Sequence, residues 1–231
     1  MQGMNVLIAV TSHDQLGTTG RKTGYYLPEL AHVFVQLLEA GFDPTEIDLV
    51  SPLGGAAPMD PNSRDLSDPA NRQFMENFMD KVEHTKLPAE INPAEYRAII
   101  FAGGHGTMWD FPQAKDLLQL AAAIYEQNDG IVSAVCHGPA ALVNLTLSNG
   151  SYLISGKHVA AFTDEEEREA QLADVVPFLL ASTLKERGAI HEPAANWQAK
   201  VVVDGRLVTG QNPASAAGVG KAVAQLLTSN R

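Results

Sequence analysis

The feature that most constrains the fold is a set of short, almost wholly apolar runs that alternate with segments of helical periodicity. Consecutive positions are apolar in these runs, as in strands that are buried on both faces of a sheet. Strands that alternate with helices favour a parallel sheet covered on both sides, so we predict an α/β fold. The predicted strands span residues 5–10, 47–50, 96–101 and 131–135.

Segments with apolar residues at helical spacing follow most of the strands. One begins near Leu27 and ends at Gly41, a residue that commonly terminates a helix. Late in the chain, residues 201–209 read as a hairpin with a tight Asp-Gly turn, which predicts an antiparallel edge. Further helices are predicted at residues 71–84, 114–125, 139–145, 175–187 and 215–227.

Residues 51–93 interrupt the alternation, with six prolines around the helix predicted at 71–84. That helix carries an apolar stripe of Phe, Met and Val side chains. The stripe has three interpretations: packing on the core, a cap over a functional site, or an adhesive surface for client proteins. We expect a single domain over residues 1–231 with a small inserted cap segment at about 51–93.

Composition narrows the function classes. The chain carries 27 acidic and 16 basic residues, a net charge of −11, and no Lys/Arg cluster, so nucleic acids and anionic membranes are unsuitable partners. The single cysteine excludes an internal disulfide and a multi-cysteine metal site. No apolar run approaches the ~18 residues of a membrane span, and the N-terminal residues lack a basic region, so we expect a cytoplasmic protein.

Cys136 directly follows a predicted buried strand and precedes a predicted helix. Strand, nucleophile and helix start in this order are typical of a nucleophile elbow, which requires small flanking residues. Ala134 and Gly138 meet that requirement, although the serine version carries glycine at both places. A thiol at a helix N-terminus has a lowered pKa, so we expect a reactive thiol. The alternative is a buried cysteine that packs as a small apolar side chain.

Two neighbouring features extend this hypothesis. His137 follows the cysteine, and a histidine base needs a third group to orient its ring. The acidic residues 164–167 offer carboxylates for this role, unless they form a solvated helix start.

The glycine run at residues 103–106 ends another strand at the sheet edge where ligands bind. Its spacing matches neither a phosphate loop nor a dinucleotide fingerprint. Its backbone N–H groups suit an oxyanion hole, and a plain tight turn is the alternative.

At this point the chain resembles a known family. Residues 134–140 (Ala-Val-Cys-His-Gly-Pro-Ala) and 102–106 (Ala-Gly-Gly-His-Gly) resemble motifs of the ThiJ/PfpI superfamily, also called the DJ-one family. The resemblance covers nearly the whole chain and implies a flavodoxin-like fold, that of class I glutamine amidotransferase domains. Further blocks match the superfamily at residues 22–24, 29–31, 110–112, 162–164 and 209–215. These blocks and the segment 51–93 resemble the heat-shock-chaperone-like branch most. Many members of that branch are glutathione-independent glyoxalases.

The resemblance also implies site residues. The nucleophile corresponds to Cys136, the adjacent histidine to His137, and the acidic residue that contacts the sulfur to Glu29. The third triad member corresponds best to Glu167, with Asp164 and Glu166 as close alternatives. The oxyanion donors would be the backbone N–H groups of Gly104 and His137. We find no His pair with metal-ligand spacing and expect neither a metal nor another cofactor.

The function implied is conversion of 2-oxoaldehydes such as methylglyoxal to hydroxy acids. The thiolate would form a hemithioacetal, Glu29 would move a proton between the two carbons, and hydrolysis of a thioester would release lactate. Deglycase or stress-protective activity would fit the same branch. Two alternatives stay open: a Cys-His-Glu peptidase or amidase, and a holdase chaperone or oxidant sensor. A homodimer is expected from the resemblance alone.

Overall fold

The computed structural model describes residues 5–229, which form a mixed six-stranded sheet flanked by helices. The strands are β1 (Asn5–Ala9), β2 (Ile47–Val50), β3 (Tyr96–Phe101), β4 (Ile131–Val135), β5 (His158–Val159), β6 (Ile190–His191), β7 (Val201–Asp204) and β8 (Leu207–Gly210). The order is β2-β1-β3-β4-β8-β7. All neighbours are parallel except β7 and β8, which form the predicted antiparallel hairpin. The predicted α/β fold class is confirmed.

The α-helices of the described chain are α1 (Leu27–Glu39), α2 (Pro69–Asn77), α3 (Met79–Glu83), α4 (Thr107–Asp110), α5 (Lys115–Gln127), α6 (Asp164–Glu169), α7 (Leu180–Glu186) and α8 (Ala216–Ser229). Helices α1 and α8 pack together, and α5 packs on β3 and β4. Leu, Val, Ile and Phe side chains of strands and helices form one buried core between these layers. Within residues 5–229, no helix has both the length and the apolar character needed to cross a bilayer.

Three helix predictions were wrong in their bounds. The helix predicted at 175–187 begins only at Leu180, because Pro177 disfavours helical backbone in the residue before it. The helix predicted at 71–84 is two helices that break at Phe78, whose ring contacts Phe34 at a centroid distance of 4.7 Å. The segment predicted at 139–145 is a 3-10 helix, Gly138–Val143. The short parallel pair β5 and β6 was not predicted.

The inserted segment 51–93 fixes the beginning of α1. Tyr25 donates its backbone N–H to Pro58, and Leu27 donates its own to the Ser63 hydroxyl, at 2.8 and 3.0 Å. The apolar stripe packs on the core, with Phe74 and Val82 fully buried. The expectation of a cap was wrong, because none of residues 51–93 lines the pocket at Cys136. The segment stabilises the helix that carries Glu29 instead.

Candidate active site

The backbone at Cys136 has the conformation of a nucleophile elbow. The residue follows β4 directly and has φ of +60°, a left-handed conformation that is unfavourable for a residue with a side chain. Two hydrogen bonds hold it there: its N–H donates to Gly210 at 2.9 Å, and its carbonyl accepts from Phe162 at 3.0 Å. Strain of this kind persists only where surrounding structure imposes it, and it concentrates at functional sites.

His137 lies between the thiol and a carboxylate. Its Nδ1 is 3.4 Å from the Cys136 Sγ, and its Nε2 is 2.6 Å from Glu167 Oε2. Burial lowers the pKa of His137, and the neighbouring His105 lowers it further. A neutral ring that donates Nε2–H to Glu167 leaves Nδ1 free to accept the thiol proton. The geometry is therefore that of a thiol, a base and an orienting carboxylate.

Glu167 accepts from a second histidine that the sequence analysis did not assign. His105 Nε2 lies 2.7 Å from Glu167 Oε1, and the rings of His105 and His137 are 4.0 Å apart. Burial by itself would raise the pKa of Glu167, but the interactions with His137 and His105 outweigh it and hold this pKa well below its usual range. Glu167 is consequently a buried carboxylate that stays charged.

The other acidic residues of α6 have different partners. Asp164 accepts from the Ser182 hydroxyl, away from the imidazole rings. Glu166 is fully buried and forms a capping box with Thr163 at the helix start. Its Oε1 also accepts from the side chains of Gln211 and Asn212, at 3.1 and 2.9 Å. The interpretation of a solvated acidic helix start is wrong, and of these carboxylates Glu167 is the one that contacts His137.

Glu29 lies in the first turn of α1, fully buried beside the thiol. Neither of its oxygens has a hydrogen bond of good geometry. Burial raises the pKa of Glu29 to about 8, and the nearby Cys136 thiol and Gly103 N–H only partly offset this effect. Gly103 is required here, because a Cβ at this residue would lie 2.0 Å from Glu29 Oε2. A carboxyl with such a pKa can both give and take a proton near neutral pH.

The expected depression of the Cys136 pKa is wrong. Burial raises the pKa of the thiol, and the negative charge of Glu29 raises it further. The expected helix N-terminus is only the 3-10 helix Gly138–Val143, which supplies a weaker dipole than a long α-helix. The thiol therefore has to be deprotonated as it reacts, and His137 Nδ1 is the adjacent acceptor.

A pocket of about 170 Å³ opens onto these groups. This volume is below the ~300–1,000 Å³ of typical ligand pockets, so it suits a small molecule. Gly104 and His137 both line it, as the expected oxyanion donors must. A larger depression of about 520 Å³ near Leu53 has neither a thiol nor an imidazole among its lining residues. The pocket at Cys136, in contrast, is lined by Tyr26, Glu29, Gly104, His105, Cys136, His137, Phe162, Ala170, Trp197 and Pro213.

The same cluster contains a set of donor atoms that a metal ion could use. Atoms of His105, His137 and Glu167 lie within 4.8 Å of one another. In this structure each of the two Nε2 atoms already forms a hydrogen bond with one oxygen of the Glu167 carboxylate, so a metal would have to replace those hydrogen bonds. An exposed group at Asp80, Glu83 and His84 is the other candidate set in residues 5–229.

Comparison with known proteins agrees with the fold and the motifs. The model of the DJ-1/PfpI family matches residues 66–226. The chain belongs to the DJ-1/PfpI family.

Members of the DJ-1/PfpI family resemble this chain over most of its length. The "Glutathione-independent glyoxalase HSP31" of Saccharomyces cerevisiae is 36% identical, with 94% of each chain covered. The crystal structure of glyoxalase III from Candida albicans has 33% identity and a TM-score of 0.86, with 95% of each chain covered. The Rapid Encystment Protein 24 KDa of Francisella tularensis has 41% identity and a TM-score of 0.90, covering 97% of this chain and 99% of its own.

The pocket residues without a predicted role include His105 and Trp197. His105 lies in the glycine run 103–106, for which the sequence predicted only a role of the backbone N–H groups and not a contact between the His105 ring and Glu167. Trp197 lies in the loop between β6 and β7, where no periodicity or motif marks it. A histidine inside a motif at the carboxyl edge of a sheet is a signal that could have found the first. No local signal identifies the second.

Proposed function

We propose that this protein is a glutathione-independent glyoxalase, which converts methylglyoxal and related 2-oxoaldehydes to hydroxy acids without a cofactor. The observation that carries the proposal is the buried Glu29 carboxyl, with a pKa of about 8, beside the chain's one thiol. Such a carboxyl suits the transfer of a proton between two carbons at neutral pH. The names of the two glyoxalase relatives support the same activity.

The first step joins the substrate to Cys136. The Sγ adds to the aldehyde carbon while the thiol proton passes to His137 Nδ1, 3.4 Å away. The proton of Glu29 goes to the aldehyde oxygen, which yields a neutral hemithioacetal. Glu167 holds the His137 ring in position and stabilises the charge that the ring acquires.

The second step moves hydrogen between carbons. The Glu29 carboxylate takes the proton from the former aldehyde carbon, and His137 protonates the adjacent oxygen to give an enediol. Glu29 then returns its proton to the second carbon as the first hydroxyl proton goes back to His137. The product is a thioester of Cys136 with a 2-hydroxy acid. Because these transfers need no external oxidant or reductant, the chemistry requires no redox cofactor.

The last step is hydrolysis. Water adds to the thioester carbon and gives a proton to Glu29, the C–S bond breaks, His137 returns its proton to the sulfur, and lactate leaves when methylglyoxal is the substrate. The backbone N–H groups of Gly104 and His137, at the pocket wall, are the proposed donors to the oxyanion. Gly104 has φ of +118°, and a Cβ there would lie 2.2 Å from the Gly24 carbonyl oxygen, so only glycine permits this backbone path.

The geometry favours this function over the two alternatives. A peptidase needs a groove for an extended peptide, whereas the pocket of about 170 Å³ fits a small aldehyde. A holdase needs a continuous apolar surface. In residues 5–229 only five large apolar side chains are exposed: Leu53, Leu87, Ile190, Trp197 and Val203.

The direct test is lactate formation from methylglyoxal in the absence of glutathione. We expect purified protein to produce lactate, and Cys136→Ala to produce none. Hydrolysis of a fluorogenic peptide substrate by the wild type but not by Cys136→Ala, without lactate formation, would support the peptidase instead. Client protection by both proteins, again without lactate, would support the holdase.

Three further expectations belong to the proposal. We propose that residues 1–231 form one domain, because the segment 51–93 shares the core through Phe74 and Val82. A homodimer is proposed from the family resemblance, and a cytoplasmic location from the acidic composition with a single cysteine. Light scattering at micromolar concentration tests the homodimer, and a mass of two chains is expected. Fractionation of the source cells tests the cytoplasmic location.

A further inference from the structure

Trp197 forms part of the wall of the active-site pocket although it lies far from the catalytic residues in sequence. Its ring packs edge-to-face on Phe162 at 5.5 Å, and Phe162 in turn packs on the His137 ring at 4.3 Å. Trp197 is 45% exposed, whereas Cys136 is 3% exposed. The indole is thus at the solvent side of the pocket and the sulfur is at its base.

The backbone of Trp197 is held in an unfavourable conformation. Its φ is +62°, a value that residues with large side chains rarely adopt. The N–H of this residue donates to Glu166 Oε1 at 2.8 Å. Because Glu166 is fully buried and also bonds Gln211, Asn212 and Thr163, it cannot follow a moving loop. Backbone strain that the surrounding structure holds in place concentrates at functional sites.

The indole itself has a second anchor on the same helix. Trp197 Nε1 donates to Glu169 Oε2 at 2.5 Å, and the neighbouring Asn196 donates to Glu169 Oε1 at 2.7 Å. Helix α6 therefore uses Glu166 and Glu169 to orient Trp197, and Glu167 to orient His137. The position of the wall is coupled in this way to the position of the catalytic base.

We propose that Trp197 is a specificity-determining residue that limits the size of the group admitted to Cys136. It would admit small, unbranched 2-oxoaldehydes and exclude aryl, sugar-derived and protein-bound ones. Its rigid anchoring matters, because a freely rotating indole would not discriminate by size. The substrate class rests on the proposed glyoxalase function, but the restriction on access to the thiol does not.

Alkylation of the single cysteine tests the restriction without any enzyme activity. Iodoacetamide and its fluorescein derivative carry the same reactive group, so the ratio of their rates with Cys136 measures access alone. We expect Trp197→Ala and Trp197→Gly to accelerate the bulky reagent by about tenfold or more, the range by which pockets discriminate small size differences. The small reagent should change by less than about twofold. Glycine also accepts the positive φ, so Trp197→Gly removes the indole and relieves the strain at once.

Two variants serve as matched controls. Trp197→Phe keeps an aromatic wall and should retain most of the discrimination. Trp109→Phe removes the chain's other tryptophan, which stacks on His13 and does not line this pocket, and should leave both rates unchanged. Acceleration of both reagents by the same factor in Trp197→Ala and Trp197→Gly would indicate general loosening and overturn the proposal, as would unchanged rates with the bulky reagent.

The substrate arm compares kcat/KM for methylglyoxal and phenylglyoxal. Trp197→Gly should shift the ratio toward phenylglyoxal by about tenfold. An unchanged ratio despite faster bulky alkylation would overturn the assignment of specificity. If the wild type makes no lactate while the alkylation pattern holds, the proposed function fails and the size restriction stands.

Discussion

Two buried carboxylates lie near the Cys136 thiol, Glu29 beside it and Glu167 behind the His137 ring. They are similarly buried, but they differ in their hydrogen bonds and in the direction in which their pKa values are shifted. Glu29 is fully buried without a hydrogen bond of good geometry, and its pKa is raised to about 8. Glu167 is 3% exposed, accepts from His105 and His137, and has a pKa held well below the usual range. The interactions with two imidazole rings, rather than a difference in exposure, therefore keep Glu167 charged while the pKa of Glu29 is raised.

The difference separates two chemical roles within one small pocket. In the proposed mechanism Glu29 exchanges protons with carbon and needs a pKa near the working pH, and burial raises its pKa into that range. A group that must orient a base needs a permanent charge, and two imidazole donors provide it for Glu167. The sharpest tests of the site are changes that alter one carboxyl and leave the other in place.

The largest effect is expected from removal of the thiol between them. Cys136→Ala should abolish both lactate formation and the covalent adduct with methylglyoxal, because neither carboxyl can form the bond to the aldehyde carbon. Intact-mass analysis after incubation measures the adduct, and a lactate assay measures turnover. Turnover by Cys136→Ala at the wild-type rate would show that the carboxylates act without the thiol.

Glu29→Gln should lower turnover by ~10²–10⁴-fold, the usual contribution of a positioned general base. The amide keeps the shape of the side chain but cannot accept a proton from carbon. Because the thiol remains and the protonated His137 ring can supply the aldehyde oxygen with a proton in place of Glu29, the adduct should still form and should accumulate. Trapping it by intact mass while lactate formation falls separates the two steps. Full turnover by this variant would remove Glu29 from the chemistry.

The stability of the two glutamine variants should change in opposite directions. Folded Glu29 holds its proton up to a pKa of about 8, whereas an unfolded glutamate releases it near 4.5. Wild-type stability is therefore lost as pH rises through that window, and Glu29→Gln avoids the loss. At pH 9 the variant should be the more stable by about 3–5 kcal/mol, since one pKa unit is worth ~1.4 kcal/mol.

Glu167→Gln should show the reverse. Its folded pKa is depressed, so its contribution is present above the unfolded pKa and is lost as pH falls through the folded pKa. The amide also presents N–H to a histidine that donates, which leaves a buried donor unpaired at a cost of about 1–3 kcal/mol. Urea unfolding of the wild type and both variants between pH 2 and pH 9 measures the slopes. Parallel slopes would contradict the contrast between the carboxylates.

The fold was predictable because its signals are local. Apolar runs and helical spacing identified the sheet strands β1 to β4 and the hairpin of β7 and β8, and the flanks of Cys136 identified the elbow. The miss at residues 175–180 came from ignoring Pro177. The site carboxylates were harder to predict from the sequence. Glu29 became a candidate only through the family resemblance, because the burial of a first helical turn depends on packing against distant parts of the chain. His105 and Trp197 depend on partners 62 and 31 residues away, which no local pattern encodes.

The smallest expected effect separates the two donors of Glu167. His105→Phe removes one hydrogen bond but keeps a ring against His137, so the loss should be about 1 kcal/mol of stability and up to roughly tenfold in kcat/KM. With one donor fewer, the pKa of Glu167 should rise and the acid limb of the pH–rate profile should move to higher pH. Asn at the same position would restore a donor without restoring the ring. If His105→Asn recovers the acid limb and His105→Phe does not, the donated hydrogen bond keeps Glu167 charged; if His105→Phe retains the acid limb and His105→Asn does not, the ring contact with His137 is the contribution of His105, and the low pKa of Glu167 depends on His137 alone.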